Sequence, residues 1–378
     1  MPATRPILFI TRNFPPTRGG IETMALEIVK QALAEGETMV VLHIGQPPRY
    51  QAPDGLRAYH HAPGTGRWPA LLVSLLWVPW LTLRHRPRLL VNMQVTSAPG
   101  SLLAKLLTGV PYIVLCMGLE ILPGGIPPWR WLRGVALRAA KRVISISRFT
   151  DSLAAAFRVP AQRREVINPG TRQFPDVPPR ARETLFGAGS AERYLVLSLS
   201  RLVPRKGIDK AIEAVALAAR ACPRILLCVG GSGPDLDRLK ALVASLGAEN
   251  HVRFLGRIAE ADMGPCYANA DLFVLPSRAS INPPDAEGFG IVFLEAGACG
   301  TPSVGGASGG VPDAVLDGKT GFLVDPENAP AIAEKILQLE REPALRAEMG
   351  RAAKEFALAS SWDKACGRYL AAFRIVAG

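Results

Sequence analysis

Acidic residues are scarce in the first half of this 378-residue chain and ordinary in the second. Residues 1–180 hold 22 Lys+Arg against 9 Asp+Glu, a net of +13; residues 181–378 hold 22 against 23, a net of −1, and the two make up the chain's +12. Histidine is rare, with five residues at 43, 60, 61, 85 and 251. Only His60 and His61 are adjacent, and neighbours in a strand face opposite sides, so no metal-ligand spacing is present. The six cysteines (116, 222, 228, 266, 299 and 366) are scattered, with no Cys-x-x-Cys and no secretory signal, which argues for reduced thiols in the cytosol. No Gly-x-Gly-x-x-Gly follows a strand-like run, which weighs against a dinucleotide-dependent oxidoreductase. No RNA- or DNA-binding module is recognisable, and the basic residues lack a repeated aromatic partner, so nucleic acid is not an expected ligand. Low-complexity tails and short-period repeats are also missing.

What is present is enough chain for two hydrophobic cores. Apolar runs at 7–10, 39–44, 89–92, 112–115 and 142–146 read as buried strands. Helix-like spacing, as in 21–33, separates most of them, which predicts a parallel sheet wound on both faces. Residues 169–179 are proline-rich, include Gly170 and read as a linker. The alternation restarts at Tyr194, with strands expected near Ile225, Val252, Leu272 and Ser303.

Two segments in the basic half combine tryptophan, aliphatic and arginine residues. Residues 68–83 carry Trp68, Trp77 and Trp80 and run into Arg84, Arg86 and Arg88. This run is short and interrupted by Pro79, which argues against a spanning helix. Residues 129–142 set Arg130, Arg133, Arg138, Lys141 and Arg142 among Trp129, Trp131, Leu132, Val135 and Leu137. Such helices suit docking at an anionic membrane surface, and the alternative is a core-facing helix with a solvated basic face.

Glu287 and Glu295 bracket Glu287-Gly288-Phe289-Gly290-Ile291-Val292-Phe293-Leu294-Glu295. A glycine-rich loop opening a helix aims unpaired N–H groups outward and suits an anion. Ionised carboxylates accept from vicinal hydroxyls. Phosphate with polyol suggests a sugar nucleotide. Ser200-Arg201-Leu202-Val203-Pro204-Arg205-Lys206-Gly207, Val229-Gly230-Gly231-Ser232-Gly233-Pro234 and Gly19-Gly20-Ile21-Glu22 each join a strand to a helix. With these, nearly the whole chain resembles the retaining nucleotide-sugar glycosyltransferases of family 4, most strongly over 194–326.

That resemblance implies an α/β GT-B fold, with two Rossmann-like domains facing across a central cleft. Residues 1–172 would form the acceptor-binding domain, with a helix at 361–378 crossing back to it; residues 173–360 would bind the nucleotide sugar. It implies catalysis by Glu287, Arg201 and Lys206, with the two cations on the donor diphosphate and Arg205 a solvated neighbour. Gly19, Gly20, Gly231, Gly288, Phe289, Gly290, Ile291 and Glu295 would bind the donor, Glu295 holding the ribose. No cofactor and no metal are expected, Asp235 and Asp237 being helix-start charges. The donor would be a UDP- or GDP-sugar. The acceptor would be lipid-linked, at the inner face of the plasma membrane, or a soluble polyol such as an inositol or secondary metabolite.

One position departs from the family pattern. The family's His-Gly pair is here Met117-Gly118, followed by Leu119 and Glu120. Met117, Gly118 and Glu120 are expected beside the acceptor or the transferred sugar. Methionine cannot donate a strong hydrogen bond. Either the donor sugar has little polarity at C6, as in a 6-deoxyhexose or pentose, or the Met117 side chain points elsewhere and an ordinary hexose binds.

Overall fold

The computed structural model describes residues 5–14, 19–45, 53–63, 67–118, 120–122, 127–174, 180–281 and 284–378. Leu119, the Trp68 side chain and linker residues 175–179 lie outside that set. The chain divides into two compact units, Met1–Gly170 with Trp362–Gly378, and Thr171–Ser361.

The first unit is built on strands β1 (Ile7–Thr11), β2 (Met39–Gly45), β3 (Ala58–Pro63), β4 (Leu89–Asn92), β5 (Tyr112–Cys116), β6 (Arg142–Ser145) and β7 (Arg164–Val166). Among the described residues they form one parallel sheet in the order β3-β2-β1-β4-β5-β6-β7. Helices α1 (Gly20–Ala34), α2 (Arg67–His85), α3 (Ala98–Thr108), α4 (Pro127–Ala139) and α5 (Arg148–Ala156) accompany it. In α1 the buried residues are Met24, Ala25, Ile28, Val29 and Ala32, one face of a 3.6-residue period. A reciprocal Ser147–Thr150 capping box starts α5. Helix α2 runs unbroken through Pro79. Its tight seat on α3 offsets the lost bond: a Cβ on Gly100 would lie 2.3 Å from the Ser74 carbonyl oxygen. The C-terminal helix Trp362–Ala377 packs on this unit. Tyr369 donates to the Ile167 carbonyl at 2.5 Å, and Arg374 pairs with Glu35 and Glu37 at 2.6 and 3.0 Å.

The second unit carries β8 (Tyr194–Leu199), β9 (Ile225–Gly230), β10 (Val252–Gly256), β11 (Leu272–Leu275), β12 (Ser280–Ile281), β13 (Pro284–Asp285), β14 (Ser303–Gly306) and β15 (Gly321–Val324). Its helices are α6 (Arg182–Phe186), α7 (Ile208–Ala218), α8 (Leu236–Ser245), α9 (Glu260–Asn269), α10 (Ile291–Ala298), α11 (Val311–Ala314), α12 (Ala329–Arg341) and α13 (Pro343–Ala359). The parallel sheet runs β10-β9-β8-β11-β14-β15, with β12 and β13 an antiparallel pair apart from it. Strand order reverses direction between β8 and β11. The crevice outside their C-terminal ends is where such sheets bind ligands.

Candidate active site

The loops leaving β8 and β9 pack backbone against backbone. Ser200 N–H donates to the Gly230 carbonyl at 3.1 Å and Leu202 N–H to that of Ser232 at 3.0 Å. Only glycine fits at Gly231, where φ is 128° and a Cβ would sit 1.8 Å from the Ser200 carbonyl oxygen. Gly231 therefore shapes this site through the fold of its neighbours. Gly207 does the same across the switch point. Its φ is 68°, and a Cβ would meet the Pro276 carbonyl oxygen at 2.0 Å. Arg278 N–H closes the seam on the Arg205 carbonyl at 2.9 Å.

That seam sets charges from the β8 loop against charges from the loop after β11. Lys206 Nζ lies 2.5 Å and Arg205 Nη1 2.7 Å from Oε2 of Glu287. Arg205 Nε also lies 2.9 Å from Asp285 Oδ1. All four side chains are largely covered. Burial alone would raise the Glu287 carboxyl, but the charges of Lys206 and Arg205 outweigh it and hold it below the usual carboxylate range. Arg205 is thus not a solvated neighbour. The short turn Pro204–Lys206 points it inward with Lys206, a choice that residue type does not reveal. Arg201 is exposed, and its side chain has no hydrogen bond or ion pair among the described residues.

Beside Glu287 the backbone is primed for an anion. Gly290 is the left-handed N-cap of α10 at φ 99°. The N–H groups of Gly288, Phe289, Gly290 and Ile291 have no acceptor among the described residues. The Phe289 side chain is buried, so this loop offers backbone rather than aromatic surface. Gly310 N–H holds the Glu287 carbonyl at 2.8 Å and fixes the loop from the β14 side. Glu295 lies on the second turn of α10 and accepts from Tyr267 Oη at 3.0 Å. Burial raises its carboxyl, against the opposing influence of Tyr267 and of the Arg172 charge. Asp235 stands at the N-cap of α8 and pairs with Arg238 at 2.6 Å, a local structural role.

In the first unit Gly19 caps α1 in an extended conformation, and Gly20 is its first residue. A Cβ on Gly19 would lie 2.4 Å from a Glu22 carboxylate oxygen. Glu22 accepts from Asn13 Nδ2 at 2.6 Å, and Gln94 Nε2 donates to Asn13 Oδ1 at 3.0 Å. This polar chain joins the ends of β1 and β4, the switch point of this sheet, and neither Asn13 nor Gln94 carries a sequence signal. Met117 is buried, and its N–H donates to Glu120 Oε1 at 2.6 Å. Burial raises the Glu120 carboxyl against that hydrogen bond and the Arg133 charge. Gly118 follows with φ 137°.

The basic segments divide by environment. Arg88 is ion-paired with Glu37, and Arg142 with Glu165 at 2.5 Å. Arg133 is buried between the Trp129 and Phe157 rings and donates to the Glu120 carbonyl at 2.7 Å. Trp129 is buried as well. These four, read above as surface-docking residues, belong to the fold. Leu72, Leu76, Trp80 and Leu83 are exposed at helical spacing along α2, beside exposed Arg84 and Arg86. No helix of the described residues is long and apolar enough to cross a membrane. No group of three or more His, Cys, Asp or Glu side chains among them could hold a metal ion.

Two family models match in sequence order. "Glycosyl transferase 4-like domain" covers residues 19–170, and "Glycosyl transferases group 1" covers 183–356. A GDP-mannose-dependent alpha-(1-6)-phosphatidylinositol monomannoside mannosyltransferase of Mycolicibacterium smegmatis is 34% identical over 373 residues, 94% of each chain. A GDP-mannose-dependent monoacylated alpha-(1-6)-phosphatidylinositol monomannoside mannosyltransferase of Corynebacterium glutamicum is 30% identical over 383 residues, 96% of each. Sucrose-phosphate synthase from Thermosynechococcus elongatus superposes with a TM-score of 0.83 at 20% identity, covering 98% of this chain and 99% of its own, a likeness of fold. Full-length relatedness, two parallel α/β sheets and the matched domain order lead to one assignment: the chain belongs to glycosyltransferase family 4, the nucleotide-sugar glycosyltransferases of the GT-B fold.

Proposed function

We propose that this protein transfers mannose from GDP-mannose to a hydroxyl of a phosphatidylinositol-type glycolipid, with retention of anomeric configuration. The observation that carries the reading is the Lys206–Glu287–Arg205 cluster beside the free N–H groups of residues 288–291 at the β8/β11 switch point. A diphosphate placed there would meet two cations and a helix N-terminus. In the free protein Glu287 holds those cations in position, and an arriving diphosphate competes for them. Arg201, exposed at the start of the same loop, would add a third cation. Glu287, kept ionised, then accepts hydroxyls of the transferred sugar, and Glu295 accepts those of the ribose. As the anomeric C–O bond breaks, the β-phosphate takes up the developing charge and the acceptor's proton, while the acceptor oxygen bonds on the same face. These fixed cations supply the charge stabilisation, so the reaction is proposed to run without a divalent metal.

GDP-mannose and the lipid acceptor are proposed by analogy with the two mannosyltransferases that this chain resembles over at least 94% of its length. The buried Met117 side chain supports the reading in which an ordinary hexose binds. The unit Met1–Gly170 with the C-terminal helix is proposed to take the acceptor, and Thr171–Ser361 the donor. The exposed α2 stripe with Arg84 and Arg86 supports peripheral docking on anionic membrane, on the cytoplasmic side where thiols stay reduced. The test is a mass-spectrometric screen of GDP-mannose, GDP-fucose, UDP-glucose and UDP-xylose against a phosphatidylinositol mannoside and free inositol phosphate, with EDTA. Product from GDP-mannose and the lipid, unaffected by EDTA and α-configured by NMR, is expected. Preference for another donor or for the soluble acceptor would overturn the assignment.

A further inference from the structure

Helix α4 and the C-terminal end of α5 leave an open groove of about 740 Å³, lined chiefly by Arg130, Trp131, Gly134, Arg138, Phe157 and Arg158, with no carboxylate among the described residues of its wall. Gly134 is the floor. A Cβ there would lie 3.0 Å from Arg138 Nη1 and 3.4 Å from Phe157 Cδ1. Arg138 donates to the Phe157 carbonyl at 3.0 Å, which ties the two elements together and holds one guanidinium in the wall. Arg130 and Arg158 are exposed, and neither has a hydrogen-bonding or ion-pair partner for its side chain among the described residues. Trp131 is 67% exposed.

Arg158 is the telling residue. Its φ is 60°, at the stop of α5, where Arg158 N–H reaches the Ala155 carbonyl at 2.8 Å. Glycine or asparagine ordinarily fills this left-handed position, and a larger side chain costs on the order of 1 kcal/mol. Among the described residues the arginine side chain makes no hydrogen bond or ion pair in return. Its side chain instead adds a guanidinium to the groove.

We propose that this groove is a site for the phosphodiester of an anionic phospholipid. The arginines grip its oxygens in the forked geometry that guanidinium offers, and Trp131 and Phe157 cover the glycerol and first methylenes. The proposal rests on the membrane-surface part of the reading above, and adds a saturable headgroup site to the diffuse docking of α2. Helix α3 packs on both α2 and α4 and exposes Leu106 and Leu107; Lys105, just before them, donates to the Ala139 carbonyl at 2.8 Å, which brings this apolar surface to the end of the helix that carries the groove. That continuity favours lipid over a nucleic-acid backbone.

The test uses the full chain and no sugar donor, so its outcome is independent of the proposed transferase specificity. Dihexanoyl phosphatidylglycerol, below its micelle concentration, is titrated by calorimetry into the wild type, Arg130→Ala and Arg158→Gly. Saturable one-to-one binding is expected, weakened at least about tenfold in each variant, as for the loss of a hydrogen bond to a charged group. Arg158→Gly should melt at or above the wild-type temperature, because glycine is at ease at positive φ; this separates loss of the site from loss of the fold. Leu76→Glu, on α2, should bind the short-chain lipid normally while losing vesicles of phosphatidylglycerol. Unchanged affinity in both arginine variants would overturn the proposal. So would binding of inorganic phosphate or of a single-stranded oligonucleotide as tight as that of the lipid.

Discussion

Lys206 and Arg205 converge on one oxygen of Glu287, so each residue can be tested against the others. Lys206→Ala is expected to lower kcat by about 10²-fold, the usual cost of a charge-stabilising donor. Arg205→Ala should weaken GDP binding as well, whereas Arg201→Ala, from an exposed side chain, should act mainly on GDP affinity. Near-normal turnover of Lys206→Ala would remove the cluster from catalysis. The two glutamates should respond to pH in opposite directions. The Glu287 carboxyl is lowered in the folded state, so its contribution to stability is present above the ordinary carboxylate range, around 4.3, and is lost as pH falls below it. The Glu295 carboxyl is raised, so the folded state loses stability as pH climbs from that range through the folded value. At neutral pH Glu295→Gln should therefore raise the melting temperature while weakening GDP binding. Glu287→Gln should lower it, costing on the order of 3 kcal/mol of stability, since two covered cations lose their partner. Thermal melts across pH 4–8 with calorimetric GDP titrations decide both; a Glu295→Gln protein that is less stable at pH 7 would contradict the assignment.

Loops and helices carry the next set of expectations. Gly207→Ala places a Cβ against the Pro276 carbonyl and forces a left-handed alanine. It should destabilise the second unit by more than the roughly 1 kcal/mol of an unfavourable φ alone. It should also displace Lys206, so activity falls faster than stability; an active, stable Gly207→Ala would show that the β8–β11 seam tolerates separation. On α2, Leu76→Glu and Trp80→Glu should abolish co-sedimentation with phosphatidylglycerol vesicles without lowering the melting temperature, because both side chains are exposed. Retained binding would place the docking surface elsewhere. Helix α1 was legible from apolar spacing, and α7 and α10 from the glycine-bearing loops that open them. Strands β3 and β7 were not. They lie at the two edges of the first sheet, bury fewer residues, and have a mixed pattern that alternation alone does not identify.

At the scale of the molecule, the chain returns to its first unit through the helix Trp362–Ala377. That helix buries Tyr369, Leu370 and Phe373 and anchors Arg374 on Glu35 and Glu37. Ending the chain at Ser361 should expose this seat and cost the first unit its cooperative melt, while Thr171–Ser361 keeps a transition of its own; a calorimetric trace with both transitions intact would refute this. The basic bias of the first half has a mixed origin. Arg88, Arg142 and Arg164 are ion-paired, with Glu37, Glu165 and Asp151 respectively, so they contribute little free surface charge. The salt dependence of vesicle binding should accordingly be shallower than the 22 lysines and arginines of residues 1–180 would suggest if all were free.

The sequence by itself determined the repeating strand–helix order, the two-unit organisation and the ordered glycine, cation and glutamate motifs. The strand–helix order rests on apolar runs and helical spacing, the two units on chain length and the proline-rich linker, and the motifs on residue order within single loops, all of which can be read along the chain. Only the tertiary structure decided which charges meet. Arg201 and Arg205 are four positions apart in one loop, yet Arg205 turns inward to Glu287 and Asp285 while Arg201 faces solvent. Arg133 and Arg130 are neighbours on one helix, yet Arg133 is buried under two rings and Arg130 lies on the rim of an open groove. Burial and pairing depend on what another segment brings to the same place, and Glu287 stands 81 residues beyond Lys206. No pattern within either segment encodes that distance. It is set by parallel strands β8 and β11 lying side by side, with their C-terminal loops opening into one crevice.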